Sequence, residues 1–145
     1  MNQTVVLPNA KPSVSTRVSI SWPPAPPYED SSVLVLNSCS YESAAKGLPF
    51  LLYLDLRLSL PVSSSSKITW AFAGLRHTLR TGHHPKFRWD HFIDSRRGME
   101  SNDAVDEGEA VISNDPATGN EIEVETGVGW NPESGRLQKY EEVWR

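Results

Sequence analysis

Between positions 50 and 60 every even residue is apolar (Phe50, Leu52, Leu54, Leu56, Leu58, Leu60), and from Tyr53 onward the odd ones are polar or amphipathic: Tyr53, Asp55, Arg57 and Ser59. A period of two sustained over this stretch predicts a long β-strand with one dry face, because a helix would scatter the leucines around its circumference. The same alternation predicts a strand over 16–22, with Val18, Ile20 and Trp22 opposite Arg17, Ser19 and Ser21. A short strand, apolar on both faces, follows over 32–37. Next come 67–73, with Ile68, Trp70 and Phe72 opposite Thr69, Ala71 and Ala73 and with Gly74 as terminator. The strand predicted over 86–94 sets Phe87, Trp89, His91 and Ile93 against Arg88, Asp90, Phe92 and Asp94. Three more are predicted over 109–113, 121–130 and 137–144; in the middle one Ile122, Val124, Val128 and Trp130 face away from Glu121, Glu123 and Glu125.

Two connections repeat one device. Asp115-Pro116-Ala117-Thr118-Gly119 and Asn131-Pro132-Glu133-Ser134-Gly135 share Asp or Asn first, Pro second, a hydroxyl residue fourth and Gly fifth. That order fits a type I turn closed by a left-handed glycine, the hairpin loop of an antiparallel meander. The prolines of 23–27 predict a stiff hairpin connection, with a P-x-x-P docking motif as the less favoured use. About eight hairpin-linked strands without a helical repeat indicate an all-β, antiparallel up-and-down barrel, because closure removes the edges of a small sheet. Residues 1–15 are expected to form a flexible N-terminal segment and 16–145 a single barrel domain.

Composition narrows the functional classes. The 145 residues and 38% hydrophobic content suit one domain with one core, and the lone Cys39 excludes an internal disulfide framework. The chain opens without a basic segment followed by an apolar one and has no apolar run of about 18 residues, so a cytoplasmic, non-membrane protein is expected. Residues 1–97 carry 11 Lys/Arg against 6 Asp/Glu, and 98–145 carry 3 against 12. Arg76, His77, Arg80, His83, His84, Lys86 and Arg88 offer a basic surface to an anionic partner, but attraction between two parts of one barrel is the simpler reading. The net charge of −4 argues against nucleic acid. Asp103, Asp106, Glu107 and Glu109 lack the spacing and glycine of an EF-hand, so 96–109 is read as a solvated loop. His83-His84 lacks further zinc ligands, and neither a G-x-S-x-G turn nor a G-x-G-x-x-G loop is present, so no metal or cofactor is assigned.

An eight-stranded barrel has an interior just wide enough for side chains or one small ligand. With the alternations phased apolar-inward, Trp22, Trp70, Phe72, Phe87, Trp89 and Trp130 line that interior. Tyr53, Arg57, His91, Asp94 and Tyr140 are the polar groups that can act within it, with His91, Tyr53 and Arg57 as the candidate catalytic residues. Asp55 and Arg57, two apart on one strand face, are expected to form a structural ion pair. His91 among aromatic neighbours reads either as a satisfied core histidine or as a proton donor in a dry site.

Five segments then carry a family resemblance: 16–22 (Thr16 to Trp22), 53–57 (Tyr53-Leu54-Asp55-Leu56-Arg57), 70–74 (Trp70-Ala71-Phe72-Ala73-Gly74), 89–96 (Trp89 to Arg96) and 140–145 (Tyr140 to Arg145). In this order they resemble the fungal Hri-type proteins, a lipocalin-like barrel family first named for interaction with a protein kinase, whose longer members carry two barrels. The resemblance implies a lipocalin-like fold and a fungal source. Small lipocalin-like proteins of fungal biosynthetic pathways include some that act on polycyclic natural products without a cofactor. The resulting expectation is a cofactor-independent cyclase or isomerase, of the Diels-Alder type among others, holding an apolar terpenoid or polyketide in the barrel. The alternative is a non-enzymatic protein that docks to a kinase or carries a small molecule; a homodimer is compatible with either.

Overall fold

The computed structural model describes residues 11–42, 47–97 and 105–145. Most of the predicted flexible segment, and Asp103 of the acidic stretch, lie outside these residues. Nine strands follow in sequence: β1 (Ser13–Ser21), β2 (Ser31–Asn37), β3 (Tyr41–Glu42), β4 (Pro49–Ser59), β5 (Ile68–Arg80), β6 (Lys86–Asp94), β7 (Asp106–Asn114), β8 (Glu121–Asn131) and β9 (Arg136–Trp144). They form one antiparallel sheet in the order β2-β1-β9-β8-β7-β6-β5-β4-β3, and β4 turns back onto β2 from Ser31–Ser59 to Asn37–Tyr53. The result is a closed eight-stranded barrel with β3 as a two-residue addition to β4. The fold class is the one read from the alternation.

The two proline turns form as their residues dictate. Asp115 Oδ1 accepts the Ala117 N–H at 2.8 Å and Asn131 Oδ1 accepts the Glu133 N–H at 2.9 Å, while Gly119 and Gly135 bond back to the carbonyls of residues 115 and 131 with φ of 73° and 64°. A positive φ there favours glycine. The proline connection after β1 is fastened where Trp22 Nε1 donates to the Tyr28 hydroxyl at 3.1 Å and Ile20 bridges to Tyr28.

Four features depart from the sequence expectation. First, Gly74 does not end its strand: β5 continues to Arg80, and a Cβ at Gly74 would overlap the backbone oxygen of Asp90, so the glycine permits close approach of β6. Second, β-bulges at Val18 and Phe92 reset the phase. Arg17 pairs with Trp144 and Ser19 with Val143, which turns Arg17 inward along with Ile20 and Trp22. Gly74 pairs with His91 and Ala73 with Ile93, so Phe92 and Ile93 both face out and Asp94 returns to the His91 side. Third, the phase of β4 and β8 is opposite to that expected. Leu51, Tyr53 and Asp55 are buried, whereas Leu52 and Leu54 are exposed. On β8, Glu125 and Asn131 are buried and Val128 and Trp130 exposed. Fourth, strand β7 begins at Asp106, inside the stretch read as loop.

The core is therefore a lining rather than a plug. Ile20, Trp22 and Tyr140 form one buried cluster, and Leu51, Tyr53 and Phe72 form another, with Trp70 and Trp89 packed against it. Each such side chain contributes roughly 1.5–3 kcal/mol by leaving water. Among the described residues no large side chain is wholly buried, and the space between the two clusters stays open.

Candidate functional site

The lumen contains a cavity of about 310 Å³. Strands β4 to β7 build its first wall. His91 of β6 stacks on Phe72 of β5, with ring centroids 4.2 Å apart and planes 9° apart. Its Nδ1 lies 2.8 Å from Asp94 Oδ2 and its Nε2 2.7 Å from Asp106 Oδ2. Asp94 also accepts the Trp70 indole N–H at 2.8 Å, which fixes the neighbouring ring. Burial opposes the charge on His91, but the bonds to Asp106 and Asp94 outweigh it and raise the pKa. Tyr53 donates to the Asp90 carbonyl at 3.1 Å, and burial together with Asp106 and Asp55 keeps its phenol protonated. Arg57 forms the expected pair with Asp55, Nε to Oδ1 at 2.9 Å and Nη2 to Oδ2 at 3.0 Å, and its guanidinium lies 4.7 Å from the Trp70 ring centre.

The facing wall is acidic. Tyr140 of β9 lies across Gly127 and Gly129 of β8, where a Cβ on Gly127 would stand 2.7 Å from the Tyr140 hydroxyl. This hydroxyl donates to Glu125 Oε1 at 2.8 Å. Burial and the charge of Glu142 hold the Glu125 carboxyl well above the usual carboxylate range, and the Tyr140 bond only partly offsets them. Glu142 accepts from Arg17 Nη1 at 2.9 Å, and Arg17 also forms a two-point bond to Glu29 at 2.8 and 2.9 Å. Burial pushes the Arg17 guanidinium down, yet Glu29 and Glu142 reverse the sign and raise it. Among the described residues two donors of this lumen stay unpaired: Arg76 Nε and Trp144 Nε1 are sealed from solvent without a hydrogen-bond acceptor. Arg76 rests 4.3 Å from the Phe87 ring centre, and burial lowers its pKa despite the charges of Glu123 and Glu125.

The family model described as Protein HRI1 matches residues 13–145. The chain belongs to the HRI1 family. No curated protein and no solved structure matches it.

Of the residues named from the sequence, Trp22, Tyr53, Arg57, Trp70, Phe72, Trp89, His91 and Tyr140 line the cavity of this HRI1-family barrel. Trp130 also borders the cavity but is more than a third exposed, because β8 turns its glutamates inward. Phe87 lies beneath Arg76 instead of on the cavity wall, and Asp94 stands behind His91. His91, Tyr53 and Arg57 all line this cavity, and each is engaged with an intramolecular partner. The lumen expected to be aromatic is half aromatic and half charged.

Sequence reading assigned none of Arg17, Arg76, Asp106, Glu125 and Glu142 to the lumen: it placed Arg76 on a basic outer surface and Asp106 in a solvated acidic loop. A signal for Glu125 was present: Gly127 and Gly129 share its face at spacing two, and paired glycines on a strand face mark close approach by something large. The basic stretch proves largely neutralised, with Arg80 bonded to Glu109 at 2.6 Å and Lys86 3.2 Å from Glu107, both on β7. Among the described residues no group of three His, Cys, Asp or Glu side chains is arranged to hold a metal ion, and no helix is long and apolar enough to cross a membrane.

Proposed function

We propose that the lumen binds a compact, conjugated small molecule through an anionic or carbonyl oxygen and isomerises or cyclises it without a cofactor, in the cytoplasm of a fungal host and on a lipocalin-like scaffold. The observation that carries this reading is the pair of orphan donors, Arg76 Nε and Trp144 Nε1, beside an open cavity. A sealed donor without an acceptor is costly, and both side chains line the cavity, so a small shift of either on binding lets a ligand supply the missing acceptor. The two are linked: Glu123 is the register partner of Trp144 and its charge acts on Arg76.

Size and chemistry narrow the ligand. A cavity of about 310 Å³ stands at the small end of ligand sites, which selects compact members of the terpenoid or polyketide class. Trp22, Trp70 and Trp89 offer flat faces that hold a conjugated ligand in one shape, and restricting a flexible substrate contributes through lost entropy. Glu125, kept protonated, acts as the proton donor. Isomerisation conserves atoms, so the proton that Glu125 gives at one position returns to its carboxylate from another.

Calorimetric titration with 2-naphthoate tests the binding step. We expect saturable one-to-one binding that Arg76→Gln weakens by about tenfold or more, while the outward Arg88→Gln leaves it unchanged. Glu125→Gln is expected to retain binding and abolish isomerisation of a β,γ-unsaturated ketone. Equal titrations for wild type and Arg76→Gln would refute the assignment, and binding without any turnover by wild type would make the protein a carrier.

A further inference from the structure

The outer surface of the barrel is divided. Around β7 to β9 it is studded with charge, including Glu107, Glu109, Lys139 and Glu141. Across β1, β2, β4, β5 and β6 a single register row reads Val14, Leu36, Leu54, Ala73 and Ile93, with no charged member. Ile93 is 72% exposed, Val14 63%, Leu36 41% and Leu54 39%. The next row, Thr16, Leu34, Leu56 and Ala71, is also uncharged. Among the described residues nothing covers this face, and its large side chains stay exposed.

We infer that this face is the contact between two copies of the chain. Three observations favour a second copy. The exposed side chains of the central row with Leu52 and Phe92 present on the order of 600 Å² of apolar surface, as large as the biggest patch a monomer ordinarily carries and near the ~800 Å² per partner of a stable interface. The relief is self-complementary: Ala71 and Ala73 of β5 form a trough between the Leu54–Leu56 ridge and the Phe92–Ile93 ridge, so a ridge of one copy fits the trough of the other. A chain of net charge −4 repels its own copies unless the acidic groups are kept away from the contact, and here the glutamates of β7 to β9 lie outside the apolar rows.

Sedimentation velocity of the full chain across the micromolar range tests this. We expect a species of twice 16.2 kDa. Leu54→Lys is expected to weaken association by about 100-fold or more, because each copy then buries an unpaired charge, whereas Leu137→Lys on the charged side leaves it intact. Circular dichroism melts below the dissociation constant show whether Leu54→Lys still folds; if it does not, Leu36→Thr, which removes apolar contact without adding charge, must weaken association in the same direction by about tenfold. A wild-type monomer at the highest concentration overturns the inference, as does a dimer that Leu137→Lys breaks and Leu54→Lys spares. Co-sedimentation of a monomeric protein with phosphatidylcholine vesicles would assign the face to lipid and overturn it too.

Discussion

His91 shows how much one side chain can organise here. A neutral imidazole has a single N–H and donates to one acid at a time, whereas the protonated ring donates both to Asp94 at 2.8 Å and to Asp106 at 2.7 Å. The folded-state pKa is therefore raised above the unfolded value, and the stabilisation is fully present below about pH 6.5 and is lost as pH rises through the folded pKa. Asp94 works in the opposite sense: burial opposes its charge, but bonds from His91, Arg96 and Trp70 lower its pKa, so its contribution fades only in acid. We expect His91→Gln to lose roughly 2 kcal/mol in urea unfolding at mildly acidic pH and progressively less toward alkaline pH. A deficit that stayed constant across that range would show that the ring matters only through packing. His91 and Asp94 were both legible as residues of interest, but the pairing of His91 with Asp94 and Asp106 was not. Asp94 is three positions away, which an unbroken strand places on the opposite face, and Asp106 sits in a stretch that reads as loop.

At the scale of the element, the bulge at Phe92 brings Asp94 back to the His91 side of β6. It depends on Gly74, where β5 and β6 approach too closely for any Cβ. Gly74→Ala must move the β6 backbone, and we expect a loss of about 2 kcal/mol or more together with a weaker pH dependence, since the His91–Asp94 bond depends on that geometry. A variant as stable as wild type would mean that β6 shifts freely. The hairpins were readable because their chemistry is local: an Asx side chain, a proline and a left-handed glycine suffice within five residues. The extent of β5 was not, because glycine within a strand signals a break and a close approach in the same letter, and only the neighbouring strand distinguishes them.

For the whole molecule, the decisive property is which surface of the tube is dry. The long leucine alternation of β4 lies outside, and the lumen holds Asp55, Arg57, Arg17, Glu125 and Glu142 around aromatic rings. Stability should follow that arrangement. Below the dissociation constant of any dimer, Leu52→Thr is expected to cost less than about 1 kcal/mol, and Tyr53→Ala, one residue away, about 3–5 kcal/mol, both by chemical denaturation. A reversal of that order would place the leucines inside after all. The eight strands of the barrel, their antiparallel connection and its closure were determined by the sequence, because alternation and turn chemistry act between near neighbours. The inward face was decided only by the tertiary structure. A period of two states that a strand has two different sides without saying which is enclosed, and each bulge exchanges them. Charge can occupy the interior once it is paired across strands far apart in sequence, as Arg17 is with Glu142, and no local pattern records such a pairing.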